Sequence, residues 1–434
     1  HGNFMSQHLL WAKPGFEVNQ AIQDFLAGGD IVHDRELFVY DIQASMAHAQ
    51  GLQNIGILGV TENLQLQDAL TDLAGRFQQG QFLLDSRYED GQSAIEQFLV
   101  EQLGELGKKI HTGRSRNDQV LVASRLWLKH QLQNLIIQCK AIAETALRRS
   151  EAEALLVLPG YTHMQRAMVS SRGMWWGAWA EGFIDNALRA SQTLALIDAN
   201  PLGSASGFGV NLNLDRQAST EQLGFGRIQQ IATYAQLSRG KYEIAALDAL
   251  LSAMGDLRRL AWDLSLFTSA EFGFVQLPAE YQTGSSLMPN KRNPDLVELL
   301  RASYATVSGA RSELEQLLSL PSGYHRDLQF TKAPSLRGFA HGLAALALLP
   351  DLLAKLQWSE PAIQAALEPS MHATDLAIEF AQQGLPFRDA YKKAADPDLW
   401  DNRNASESLA ARVSEGSGVN LGLEKLKARL ADMP

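Results

Sequence analysis

The sequence predicts an all-α protein of three domains organised around a central bundle of long helices. Three observations carry that expectation. Apolar residues recur at helical spacing through several long stretches, no clear strand-turn-strand pattern breaks into them, and a short polar loop rich in hydroxyls lies between two of them. A chain of 434 residues also exceeds one ordinary core.

Residues 5–112 read as an N-terminal domain of short helices, over 34–50, 64–79 and 93–103. A polar run, Lys108-Lys-Ile-His-Thr-Gly-Arg-Ser-Arg-Asn-Asp-Gln119, then reads as a charged turn between helices, and its density of side-chain donors also suits a dicarboxylate. Residues 113–360 form the expected bundle domain. In its first long helix Leu128, Leu132, Leu135, Cys139, Ile142 and Ala146 recur at alternating spacings of four and three. At ~1.5 Å per residue, a helix of about 30 residues spans roughly 45 Å. Similar stripes run over 168–198, over 242–269 (Ile244, Leu247, Leu251, Met254, Leu257, Leu264) and after Pro294 (Val297, Leu300, Tyr304, Val307, Leu314). A fifth, over 336–357, is interrupted at Pro350. Stripes this long must be buried on one another, within or between subunits. Residues 361–434 read as a small C-terminal helical domain, with a helix opening at Leu385-Pro-Phe-Arg388 and a polar, mobile tail over 398–417.

Composition narrows the function. A net charge of −10 argues against general attraction to nucleic acid or an anionic membrane, while leaving room for a local basic pocket. The single Cys139 excludes an intrachain disulfide and fits a reducing, cytoplasmic setting; its apolar helical face marks it as a buried structural thiol. No apolar run approaches the ~18–20 residues of a membrane span. His1-Gly-Asn-Phe-Met5 lacks a signal-peptide pattern, and Met5 reads as the native start. The ten histidines show no metal-ligand spacing and there is no Gly-rich phosphate loop, so neither metal nor cofactor is expected.

The chemistry concentrates in Thr283-Gly-Ser-Ser-Leu-Met-Pro-Asn-Lys-Arg-Asn-Pro294. Gly284 frees the backbone before Ser285 and Ser286, and Met288-Pro289 ends the run. Asn293 reads as an N-cap with Pro294 at the first helical position. The unpaired N–H groups of a helix start suit a carboxylate. An isolated Gly-Ser-Ser is more often a surface turn, but the whole string, Gly-Ser-Ser-x-Met-Pro-x-Lys-x-Asn-Pro, resembles the signature of the fumarase/aspartase superfamily, lyases that release fumarate. His111-Thr-Gly-Arg-Ser-Arg-Asn-Asp-Gln119, Pro159-Gly-Tyr-Thr-His-Met-Gln-Arg166 and Tyr324-His-Arg-Asp-Leu-Gln329 resemble blocks of its argininosuccinate lyase family.

That resemblance implies elimination of arginine from argininosuccinate to give fumarate, in a homotetramer whose active sites draw on several subunits. It assigns the base to Ser285 and the developing carboxylate charge to Lys291 and Asn293. His163 becomes the second proton handler, with Glu298 as its carboxylate partner; protonating the leaving group and orienting substrate are both open to it. Arg116, Asn117, Thr162 and Gln165 would hold the succinyl carboxylates, with Ser286 and Met288 beside them on the loop. Tyr324, Arg326 and Gln329 would meet the other end. An adenylosuccinate-cleaving lyase and a non-enzymatic, crystallin-like protein on the same fold are the alternatives. The chain also departs from the family pattern. Gln92 replaces a histidine in Glu89-Asp-Gly-Gln-Ser93, Ser238-Arg-Gly-Lys241 replaces Ser-Asp-Arg-Asp, and Asp30 replaces a serine. Residues 329–332, Gln-Phe-Thr-Lys, lack an acidic pair.

Overall fold

A computed structural model describes residues 19–400 and 403–434; the expectation about Met5 lies outside them. The protein is built almost wholly from helices: α1 (Gln20–Ala27), α2 (Asp30–Asn54), α3 (Val60–Gln78), α4 (Gly91–Leu103), α5 (Arg116–Ala152), α6 (Arg172–Ile197), α7 (Lys241–Phe267), α8 (Asp295–Leu317), α9 (Lys332–Ala347) and α10 (Leu349–Lys355), followed by short helices to the C-terminus. Two hairpin-like pairs matter for function. Strands β1 (Val157–Thr162) and β2 (Gln165–Ser171) pair antiparallel, as do the two-residue strands β3 (Thr283–Gly284) and β4 (Arg292–Asn293).

The chain divides into two compact units. The first takes residues up to Asn134, Ser191–Ala249 and Val307–Ala340. In it α2, α3 and α4 bury Phe38, Ile42, Leu52, Leu66, Leu70, Leu73, Ile95 and Leu99 against one another. Asp90 caps α4, its carboxylate accepting from the Ser93 N–H at 2.7 Å. Gly107 is required by close approach, since a Cβ there would meet the Leu99 carbonyl at 2.4 Å. Asp118, in the first turn of α5, accepts from the N–H groups of Ser115, Gly203 and Ala205 and so holds the 203–205 turn.

The second unit takes Leu135–Ala190, Leu250–Thr306 and His341 onward. Asn186 on α6 donates to Asp256 on α7 at 2.7 Å and accepts from Ser252 at 2.8 Å. Trp175, Trp176, Phe267 and Trp358 form an aromatic cluster. Strands β1 and β2 seat Val157 and Val169 against Met371 and Leu409.

Five expectations are corrected. The polar run at 108–119 is not a turn throughout, because α5 starts at Arg116 and extends for 37 residues. A hairpin occupies 157–171, where no strand pair was expected; Pro159 and Gly160 hide the first strand, and the turn His163-Met164 lacks the usual Asn-Gly signal. Asn293 does not cap α8: it pairs with Thr283, and the Pro294 carbonyl accepts the Glu298 N–H at 3.1 Å. The stretch Arg326–Lys355 is long and apolar enough to cross a membrane by length and composition, although it is a 3-10 turn and two helices divided at Leu348. Its small residues serve packing, as at Gly338, where a Cβ would meet Leu247 at 2.9 Å. The tail expected to be mobile contains a helix, Ala405–Ala411, and Arg412 after it pairs with Asp375 at 3.0 Å.

Candidate active site

A cavity of about 180 Å³ in the first unit gathers five of the residues singled out from the sequence: Arg116, Asn117, Tyr324, Arg326 and Gln329. Its walls come from the start of α5, the approach to α4, and the segment before α9. Arg116 is the first residue of α5, where Asp90 pairs with its guanidinium and Glu89 lies at 3.4 Å. Asn117 follows in the same turn, its N–H held by Ser115 Oγ at 3.2 Å. Gln329 and Arg326 donate to the Leu26 carbonyl, at 2.8 and 3.1 Å. The Arg239 guanidinium stands over the Tyr324 ring, 5.6 Å from its centroid.

Lys332 is buried at the cavity wall and donates to Asp34 at 2.8 Å and Asp30 at 3.2 Å. Burial opposes its charge, but the two carboxylates outweigh it, and its pKa lies above the ordinary lysine value. Burial raises the Asp30 pKa in turn, against the pull of Lys332. Asp34 also accepts the Gly91 N–H at 2.8 Å, so the lysine is fixed by a network instead of a lone pair.

The remaining predicted residues lie in the second unit, on the β1–β2 pair, on the β3–β4 segment with its loop, and on α8. Thr162 and Gln165 face each other across the β1–β2 pair, and His163 and Met164 form its two-residue turn, with φ of 54° and 61°. Both are left-handed, as a type I′ turn requires, and neither is glycine. The turn presents the His163 ring to solvent. Ser285 lies just beyond β3, and its Oγ accepts from the N–H groups of Leu287 at 3.2 Å and Met288 at 3.0 Å. Two N–H donors on one hydroxyl oxygen favour its anionic form, which is what a serine base needs. Ser286, Met288 and Lys291 are exposed, Asn293 is half-buried in β4, and Glu298 is exposed in the first turn of α8. Within one chain no hydrogen bond or ion pair joins His163 to Glu298 among the described residues; the nearest cation to the Glu298 carboxylate is Arg301, at 4.0 Å.

A general lyase family profile matches residues 29–309. Argininosuccinate lyases of Stenotrophomonas maltophilia and of Xanthomonas campestris pathovar campestris are each 60% identical to the chain, covering 97% of it and 98% of the relative. The chain belongs to the argininosuccinate lyase family. Its fold is also that of an EDDS lyase variant with bound fumarate, at a TM-score of 0.76 and 20% identity over 96% of this chain and 90% of that one. A class II fumarase from Schistosoma mansoni gives 0.72 and 15%, over 91% and 89%.

Several residues of this lyase's cavity were not selected from the sequence as binding residues. Asp30, Glu89, Asp90, Gln92, Arg239 and Lys332 all line it. Gln92, which stands in the family's histidine place, donates to Asp41 at 2.9 Å, and Gln119 donates to the other oxygen of the same carboxylate at 2.9 Å. Of the altered Ser238–Lys241 block, Arg239 alone reaches the cavity. Ser238 accepts from Arg125 at 3.1 Å, Lys241 donates to Tyr234 at 2.9 Å, and Gly240 has a φ of 87° that suits glycine. Asp30 and Arg239 stood out in the sequence only as departures from the family pattern, and the pairing of Asp30 with Lys332 arises only through the fold. Cys139 is buried and free, and burial pushes its thiol pKa well up.

Proposed function

We propose that the chain is an argininosuccinate lyase, eliminating arginine from argininosuccinate to give fumarate. The observation that carries the assignment at the level of geometry is the first-unit cavity, where hydrogen-bonding groups, carboxylates and cations are combined as a guanidine with an amino-acid head requires. The sequence relatives, similar over nearly their whole length, point to the same reaction.

The chemistry follows from the residue types. Ser285, as its alkoxide, takes the proton from the carbon beside one succinyl carboxylate. The electron pair is held on that carboxylate as its aci form, where Lys291 and Asn293 offer a cation and an amide donor. It then returns to form the double bond of fumarate as the neighbouring C–N bond breaks, and arginine departs after gaining a proton. His163 handles that second proton or orients the substrate. Thr162, Gln165, Arg116 and Asn117 hold the succinyl carboxylates, with Ser286 and Met288 closing over them. Tyr324, Arg326 and Gln329 meet the leaving group. Each of these roles rests on family resemblance together with the exposure and donors described above.

The active protein is a homotetramer with shared sites, in a cytoplasmic, reducing setting. Support comes from apolar side chains exposed on the long helices: Ile137 on α5, Leu188 and Leu196 on α6, Trp262 on α7 and Leu299 on α8. The His163–Glu298 pairing belongs to that assembly. Ultraviolet absorbance of fumarate, followed on mixing the protein with argininosuccinate and separately with adenylosuccinate, tests the function. Release from argininosuccinate is expected; release from adenylosuccinate alone would overturn the assignment.

A further inference from the structure

Two cations at the first-unit cavity are paired with carboxylates, and a third, the exposed Arg326, donates to the Leu26 carbonyl. Arg116 is held by Asp90 and Glu89, and Lys332 by Asp30 and Asp34. Arg239 differs. It is only 5% exposed, it lines the cavity, and no acceptor pairs with its guanidinium among the described residues; its side-chain contact is the face of Tyr324. A buried guanidinium left without an anion is costly, and the cost is recovered when a ligand supplies one. Its planar fork matches a carboxylate in bidentate fashion. Asp30, on the same wall, offers an acceptor for a cation next to that anion.

We propose that Arg239 is a specificity-determining residue of this enzyme, binding the α-carboxylate of the amino acid that leaves as arginine. The inference rests on the proposed reaction and assigns one group within it. The α-ammonium then faces Asp30, and the guanidine end extends toward the bond that breaks. Arg239 thus discriminates between arginine and its decarboxylated counterpart, agmatine, which presents the same guanidine and an amine but no anion.

The test is a comparison of arginine and agmatine as inhibitors of fumarate release by wild type, R239Q, R239K and K241Q. Wild type is expected to bind arginine roughly 10- to 100-fold tighter than agmatine, the worth of a hydrogen-bonded charge pair. R239Q should lose that preference and raise KM for argininosuccinate far more than it lowers kcat. R239K should keep part of it, because the charge stays and the fork is lost. K241Q, altered outside the cavity, should keep all of it. A wild type that binds agmatine as tightly as arginine overturns the proposal without any variant, and so does an R239Q or R239K protein with the full wild-type preference. Wild type that releases no fumarate from argininosuccinate would instead count against the reaction itself, and direct calorimetric titration of the two inhibitors still reads the Arg239 proposal.

Discussion

At the residue scale, Ser285 combines two roles in one atom. Its Oγ accepts two backbone N–H groups, which both shapes the loop and lowers the cost of an alkoxide. Ser285→Ala should therefore abolish fumarate release while leaving helicity and assembly mass unchanged; a folded variant with near wild-type turnover would remove serine as the base. His48 makes a different prediction. Burial first, and Arg114 second, lower its pKa from 6.5 to about 3, and its ring bonds the Thr112 carbonyl at 2.8 Å. The unfolded chain accepts a proton below about 6.5 that the folded chain refuses, so this contribution to stability is full above that value and is lost as pH falls toward 3. Asp118 works in the opposite direction: burial raises it from 3.8 to about 6, so its proton favours the fold at low pH and that contribution is lost as pH rises through 6. His48→Gln, which keeps a donor for Thr112, should flatten the fall in urea midpoint between pH 6 and 4. An unchanged slope would show that His48 does not govern it.

At the element scale, the β1–β2 turn spends backbone strain on presenting His163. Met164 has a φ of 61° with no glycine to relieve it. A left-handed L-residue costs about 1–2 kcal/mol, against up to ~1 kcal/mol of extra chain entropy for glycine. Met164→Gly should thus raise stability by roughly 0.5–1 kcal/mol, read from the denaturant midpoint; a lower midpoint would mean that the Met164 side chain has a structural role. This hairpin also marks where the sequence stopped being informative. The long helices were legible because each repeats an apolar stripe many times over, as from Leu128 to Ala146. The hairpin is short, carries Pro159 and Gly160, and turns on residues that rarely adopt positive φ. The serine loop was legible because its chemistry is contiguous. The Lys332–Asp34 contact was not, since it joins positions 298 residues apart.

At the scale of the whole molecule, the candidate site residues are divided between two units of the chain, and α5 to α8 expose large apolar side chains. Light scattering at micromolar concentration should give four times the mass of one chain; an active monomer would refute the shared site. Mixing supplies a second reading of the same idea. S285A alters the second unit and Asn117→Ala the first, and each alone should be inactive. Unfolded together and refolded, they should form mixed assemblies in which some sites hold only intact residues, so fumarate release returns. No recovery from a mixture shown to have exchanged subunits would place each site within a single chain.

The cavity wall also carries a charge arrangement of its own. Relative to the family pattern, an acid has entered at Asp30, an arginine has gone at Gly240, and an acid has become Arg239. Gly240 stays off the wall, so at the cavity itself the acid at Asp30 faces the positive charge that Arg239 brings. A buried cation at 239 is costly without an anion nearby, so the acid at 30 and the arginine at 239 depend on one another. Replacing either one alone is expected to cost more than replacing both, which ties this version of the site together.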